Sequence, residues 1–309
     1  MPTVPLHPSI EPLKDLIPIP DIDADVLTVL RESELAAPVE LSDQVERTDH
    51  VVSEDPHVVV RVHRPVGVDG ALACLYSIHG GGFVIGSYEM DDPTMDRWCQ
   101  KFGIVGVSVE YRLSPETAFP GPIEDCYVGL KWVYDHAEEI GIDRNRIGIT
   151  GVSAGGGLCA ALALLARDRG EVPVQFQLLD CPMLDDRQET VSSQLDDLIV
   201  WSRVSNTFAW RAYLGELYGT DEVPAEAAPA RAVDLTGLPE AYVSVGGADG
   251  FRDEDIMYAQ RLYGAGVPTE LHVYPGAPHG VAMFTETEIA QRYVADQEDW
   301  LRRQLDRLS

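Results

Sequence analysis

Apolar residues along this chain fall in short runs that alternate with longer amphipathic stretches. HVVVRVHRP (57–65) and ALACLYSIHG (71–80) are rich in β-branched and apolar residues and predict strands, the second feeding a glycine loop. GIVGVSVEYR predicts the next strand, and the segment from Pro122 to Ile140 an amphipathic helix. RIGITG reads as strand, and SAGGGLCAALALLARDRG as a helix whose small apolar face suits close packing on a sheet. VPVQFQLLDCP, EAYVSVGG and TELHVYPG predict further strands, while DEDIMYAQRLYGAG and TETEIAQRYVADQEDWLRRQL predict helices. Upstream, a helix is expected from near Asp23 through DADVLTVLRESEL, with acids at its amino end.

Strands alternating with helices argue for an α/β fold: a mostly parallel sheet with helices on both faces. The stretch from about Leu184 to Ala232 breaks that rhythm. It has no clear strand pattern but carries Trp201, Phe208, Trp210, Tyr213 and Tyr218. It reads as an inserted helical lid packed with the amino-terminal segment. The expected organisation is therefore an amino-terminal cap segment (1–47), an α/β core (48–183 and 233–309) and a helical cap insertion (184–232).

Composition narrows the class. The 309 residues are 45% hydrophobic and 24% charged, an ordinary globular balance able to bury a large core. No run approaches the ~20 apolar residues of a membrane span. The opening MPTVPLHPSIEPLKDL lacks the basic start and apolar stretch of a signal peptide. A cytoplasmic location is the resulting expectation. The net charge of -28 repels phosphate backbones and anionic lipid, which argues against nucleic-acid or membrane partners. Cys74, Cys99, Cys126, Cys159 and Cys181 show no CxxC spacing and read as free buried thiols rather than a disulfide or metal framework.

Candidate chemistry centres on Gly151-Val152-Ser153-Ala154-Gly155, a G-x-S-x-G between an apolar strand pattern and an alanine-rich helix. A serine on so tight a turn stands at a helix amino end, where N–H groups and dipole favour developing negative charge. G-x-S-x-x-G is not the dinucleotide fingerprint, and no G-x-x-x-x-G-K-[ST] occurs, so no nucleotide cofactor is implied. Upstream, His79-Gly80-Gly81-Gly82-Phe83 follows a strand pattern. Such a loop can bring backbone N–H groups to an oxyanion, which assigns Gly80 and Gly81 as donors with Ala154 as the third. His79 and Gly82 are expected to brace that loop.

A serine nucleophile needs a base and an acid that orients it. His279 in YPGAPHGV and Asp249 in GGADGFRDED each follow a strand pattern, at the ends where catalytic groups of open α/β sheets collect. Asp253 is the second candidate acid; Asp253, Glu254 and Asp255 otherwise open the following helix. His272 lies inside a strand, and His7, His50, His57, His63 and His136 lack a strand-end glycine loop. No H-E-x-x-H or similar set of metal ligands is present, so no metal is expected.

With these residues in place the chain resembles the hormone-sensitive-lipase-like esterases with an HGGG loop. HGGGFVIGS, VEYRLSPETAFP, EDCYVGLKW, GVSAGGGL, VGGADGFRDED and YPGAPHG match that family's blocks in order, from about residue 48 to residue 285. The resemblance implies an α/β-hydrolase fold with an eight-stranded sheet and a helical cap. It further implies hydrolysis of short- to medium-chain carboxylic esters through an acyl-enzyme, a small-molecule ester as partner, no cofactor, and compatibility with a homodimer. Glu116 in YRLSPE matches a family position that braces the site. Two departures stand out: Val152 replaces the aspartate often found before the nucleophile, and Val281 an aromatic common after His-Gly. Phe83, Val152, Trp201, Phe208, Trp210 and Val281 are the candidate pocket residues. A lactone or carbonate hydrolase or an amidase would use the same three residues. A binding-only relative, like the plant hormone receptors similar to this family, would lack His279.

Overall fold

The described residues, 4–14, 20–32, 40–196 and 198–308 of this computed structural model, build on one eight-stranded sheet. Its strands are β1 Val45–Glu54, β2 His57–Pro65, β3 Leu72–Ile78, β4 Val105–Glu110, β5 Ile142–Val152, β6 Phe176–Asp180, β7 Glu240–Gly246 and β8 Thr269–Tyr274. The spatial order is β1-β2-β4-β3-β5-β6-β7-β8. β2 pairs antiparallel with both β1 and β4, and every pairing from β4 to β8 is parallel.

Helices α1 Ala24–Glu32, α2 Asp92–Phe102, α3 Gly121–Asp135, α4 Ala154–Arg169, α5 Arg203–Leu214, α6 Arg252–Gly264 and α7 Glu288–Arg307 complete the elements. Successive strand residues point to opposite faces, and the core divides accordingly. Tyr76, Leu179 and Val243 join Ile123, Leu158 and Tyr258 of α3, α4 and α6 on one face. Leu75, Leu178 and Tyr242 join Trp98, Trp300 and Leu301 of α2 and α7 on the other. Burial on both faces is why β3 to β7 read as apolar runs rather than alternating ones.

Several elements depart from the sequence reading. β1 is absent from it because VERTDHVVSE is mostly polar; an edge strand needs few apolar contacts. That strand opens at Val45, inside the segment 1–47 assigned to the cap. The reading also lacks α2, whose Met95, Trp98 and Cys99 form one short apolar stripe among charged residues. α3 ends at Asp135, not Ile140. α1 begins as expected, with Asp23 Oδ1 accepting from the backbone of Asp25 and Val26, while Ser33–Leu35 lie outside the described residues.

The insertion 184–232 is less helical than a lid of helices. α5 is its one α-helix among the described residues, flanked by short 3-10 turns at Ser192–Gln194, Gly215–Leu217 and Pro229–Arg231. Side-chain pairs hold its turns instead: Arg231 forks onto buried Asp186, and Arg187 onto Asp185. The amino-terminal segment docks here, with Ile22 N–H donating to Ser205 Oγ at 3.0 Å. It also crosses the loop after β8, where His7 N–H donates to Gly276 O at 2.8 Å. Among the described residues no helix is long and apolar enough to cross a membrane.

Candidate active site

Ser153 stands between β5 and α4 with φ 58° and ψ -122°. A non-glycine residue at positive φ is unfavourable, so the surrounding backbone must hold it there. Ser153 N–H donates to Asp180 O at 2.8 Å, and its own carbonyl accepts from Met183 N–H at 2.9 Å. Gly155 permits the turn: a Cβ there would stand 2.0 Å from Ile78 O and 2.4 Å from His79 O. β5 and β3 are adjacent and paired in parallel, so this close approach brings the Ser153 turn beside the loop after β3.

The loops after β7 and β8 deliver the other two groups. His279 Nδ1 is 2.8 Å from Asp249 Oδ2, and His279 Nε2 is 2.9 Å from Ser153 Oγ. A carboxylate only accepts, so Nδ1 carries the proton and Nε2 accepts from the serine hydroxyl. All three side chains are buried. Asp249 is itself fixed by Phe251 N–H, which donates to Oδ1 at 3.0 Å. Phe251 meets the imidazole edge to face, ring centroids 5.0 Å apart. Asp253 turns away, accepting from Ser192 N–H at 2.8 Å and pairing with Arg252.

The two helices that approach this centre differ in charge. α6 opens with Asp253, Glu254 and Asp255 in its first turn, whereas α4, which starts at Ala154, has no acid in its own. Ala154 N–H is among the helix-end donors without an intrahelical partner, and no acid of α4's own first turn offsets its positive end beside Ser153. Glu254 and Asp255 do more than favour a helix start, because both are buried. Glu254 accepts from the backbone of Leu184 and Asp185, tying α6 to the insertion, and burial pushes its carboxyl well above the usual range.

The glycine loop runs alongside. A Cβ on Gly80 would stand 3.0 Å from Val152 O and 3.5 Å from Ser153 Cβ, which puts this loop against Ser153. His79 braces it: Nδ1–H donates to Gly80 O at 2.8 Å and the ring stacks on Tyr111 at 4.2 Å. Burial pushes this imidazole down to about 4, so it stays neutral. Gly82 has φ 60°, and a Cβ on it would strike Trp201 at 2.3 Å.

Trp201 accordingly lies between the glycine loop and His279, whose ring is 6.4 Å away, and its Nε1–H donates to Asn206 Oδ1 at 3.3 Å. Val152 turns its Cγ1 methyl towards Gly80. With an apolar residue there, the backbone bonds of Ser153 to Asp180 and Met183 do the supporting. Phe208 is half-buried against the main core.

Three other pocket candidates are packed into protein. Phe83 stacks on Tyr213 at 4.1 Å and tilts against Trp210 at 5.3 Å, and both Phe83 and Trp210 are fully buried. Val281 is buried in a cluster with Ile10, Phe284 and Ile289. Phe83 and Trp210 pack together between the glycine loop and α5, and Val281 packs against Ile10 of the amino-terminal segment. Glu116 is also displaced from its expected place. Its side chain is 64% exposed and pairs with Arg31, whose guanidinium donates to the carbonyls of Val84 and Ser114. Any bracing passes through Arg31.

Phe251, Asp180 and Arg31 were not singled out from the sequence. Only Phe251 left a local signal there, since a residue two positions after an aspartate commonly donates to it.

A family model described as the alpha/beta hydrolase fold matches residues 75–283. The chain is 35% identical over 286 residues to Carboxylesterase NlhH of Mycobacterium tuberculosis, covering 90% of this chain and 89% of that protein. It is 39% identical to Esterase LipI of the same species, over 65% of this chain and 63% of that one. Among solved structures it is similar to "Bacterial Heroin Esterase", with a TM-score of 0.89 and 42% identity, covering 97% of this chain and 98% of the other.

Proposed function

This chain belongs to the alpha/beta-hydrolase-fold family of carboxylic ester hydrolases, and from that premise we propose that Ser153, His279 and Asp249 carry out the hydrolysis through an acyl-enzyme. The observation that supports it most is the unbroken line Ser153 Oγ–His279 Nε2–Nδ1–Asp249 Oδ2, at 2.9 and 2.8 Å. Ser153 Oγ attacks the ester carbonyl while His279 Nε2 takes its proton. Asp249 keeps the imidazole in the tautomer that leaves Nε2 free to accept, then stabilises the imidazolium.

The tetrahedral oxyanion is received by the N–H groups of Gly80, Gly81 and Ala154. Collapse of this intermediate expels the alcohol, which leaves with the proton held by His279. Water then attacks the acyl-serine, gives a proton to His279, and the carboxylic acid departs as Ser153 recovers its hydrogen. No step calls for a metal or an organic cofactor.

Trp201 stands as an indole wall between the glycine loop and the imidazole of His279. We infer from this wall a preference for acyl chains of about eight carbons or fewer. The test is turnover of p-nitrophenyl esters of graded acyl length by the wild type and S153A. The expected result is a short-chain optimum in the wild type and a loss of at least about a thousandfold in the variant. A folded S153A enzyme that keeps its rate would remove Ser153 from the mechanism.

A further inference from the structure

Against His279 stands a thiol that ester hydrolysis does not use. Cys181 follows β6 directly and is buried, with its backbone held at φ 38°. A positive φ is unfavourable for a side chain with a Cβ. It is imposed here as Cys181 N–H donates to Ser244 O at 2.7 Å, continuing the pairing of β6 with β7. The Cys181 backbone is thereby tied to β7. The Cys181 sulfur, a carboxylate oxygen of Asp249 and a ring nitrogen of His279 all lie within 4.8 Å of one another.

We propose that Cys181, His279 and Asp249 form a site for a thiophilic divalent cation such as zinc or cadmium, and that filling it stops ester hydrolysis. Sulfur, imidazole nitrogen and carboxylate oxygen are the donor types that bind zinc, at about 2.3, 2.0 and 2.1 Å. At tetrahedral angles these lengths hold the donor atoms roughly 3.4–3.6 Å apart, so closing the present triangle takes shifts of about 1 Å or less. Three protein donors leave a fourth position for water. No other cysteine among the described residues belongs to such a group of donors.

The proton balance is explicit. Burial holds the Cys181 thiol well above its usual range, so it is protonated before the cation arrives. Binding forms the metal–sulfur bond and releases that proton to solvent. A cation on Nδ1 sends the ring proton to Nε2, and one on Nε2 occupies the lone pair directly. In either case Nε2 can no longer take a proton from Ser153. The inhibitory half of the proposal rests on His279 being the base, so cation binding needs a readout of its own.

Cadmium chloride is the probe. The purified enzyme is titrated while the ultraviolet thiolate-to-cadmium charge-transfer band and p-nitrophenyl ester turnover are recorded together. Wild type, C181A, C181S and C126A are compared, each against its own metal-free rate. Wild type and C126A are expected to develop the band at one equivalent and lose at least tenfold in turnover, with both effects reversed by a chelator. C181A and C181S should show no band and need at least tenfold more cadmium for half-inhibition; a melting curve for each certifies folding, and the second variant covers a failure of the first. Inhibition of both Cys181 variants at the wild-type concentration, or a band that persists in them, would overturn the proposal. Metal-free turnover of H279A separates the two readings: if it equals wild type the catalytic assignment fails, while the band still reports on the cation site.

Discussion

Burial lowers the His79 imidazole from the ordinary 6.5 to about 4, and this gives a single residue a pH signature. The unfolded chain takes up this proton first as pH falls. The stability His79 contributes is therefore complete above about pH 6.5 and drains away towards pH 4, by up to on the order of 3 kcal/mol. H79Q cannot take up the proton and should lose less. We expect the fall in urea midpoint between pH 7 and pH 4.5 to be smaller in H79Q than in the wild type. Equal falls would mean that protonation of this ring is not felt by the fold. Ser153 depends on its surroundings in another way. Its φ of 58° is tolerated because Asp180 and Met183 hold its backbone from both sides.

Between elements, the seam that joins the glycine loop to α5 carries the most consequence. Phe83 also sits at positive φ, 65°, with its ring stacked on Tyr213 and its carbonyl accepting from Ser114 N–H at 2.8 Å. Gly80 and Gly81, the proposed donors, are thus fixed to the cap through their own loop. F83A removes the stack and leaves a cavity, which should cost about 3–5 kcal/mol. Because the loop would also lose its anchor, turnover should drop more than substrate affinity does. Thermal melts paired with separate kcat and KM values test this, and a variant that is destabilised with unchanged kcat would uncouple the seam from the reaction. The insertion relies on ion pairs such as Arg231–Asp186 more than on helix, which is why its aromatic residues did not disclose its form.

For the whole molecule, charge is the dominant feature, with 51 acids against 23 bases. Many of the acids are paired with arginine, as Glu270 is with Arg303 and Glu240 with Arg307, but the excess repels itself across the surface. Screening by salt weakens that repulsion over a shorter distance as concentration rises. The melting temperature is expected to climb by about 2 °C or more between low ionic strength and 0.5 M sodium chloride. A fall over that range would show that the surface ion pairs outweigh the net repulsion.

The linear sequence determined the periodic elements, since buried parallel strands and the helices between them leave strong local patterns. It also determined which side chains could react. G-x-S-x-G, HGGG and the glycine-flanked Asp249 and His279 advertise their turns locally, because backbone conformation restricts which residues can occupy them. Polar-faced β1 and the short stripe of α2 escaped detection because an edge strand and a surface helix need few apolar residues. Only the tertiary structure decided that Asp249 rather than Asp253 meets His279, as that choice depends on how α6 docks. The same holds for Phe83 and Trp210 becoming core, for Glu116 facing solvent, and for Cys181 coming to rest against the imidazole. Those outcomes are set by contacts between residues far apart in the chain, for which no local pattern exists.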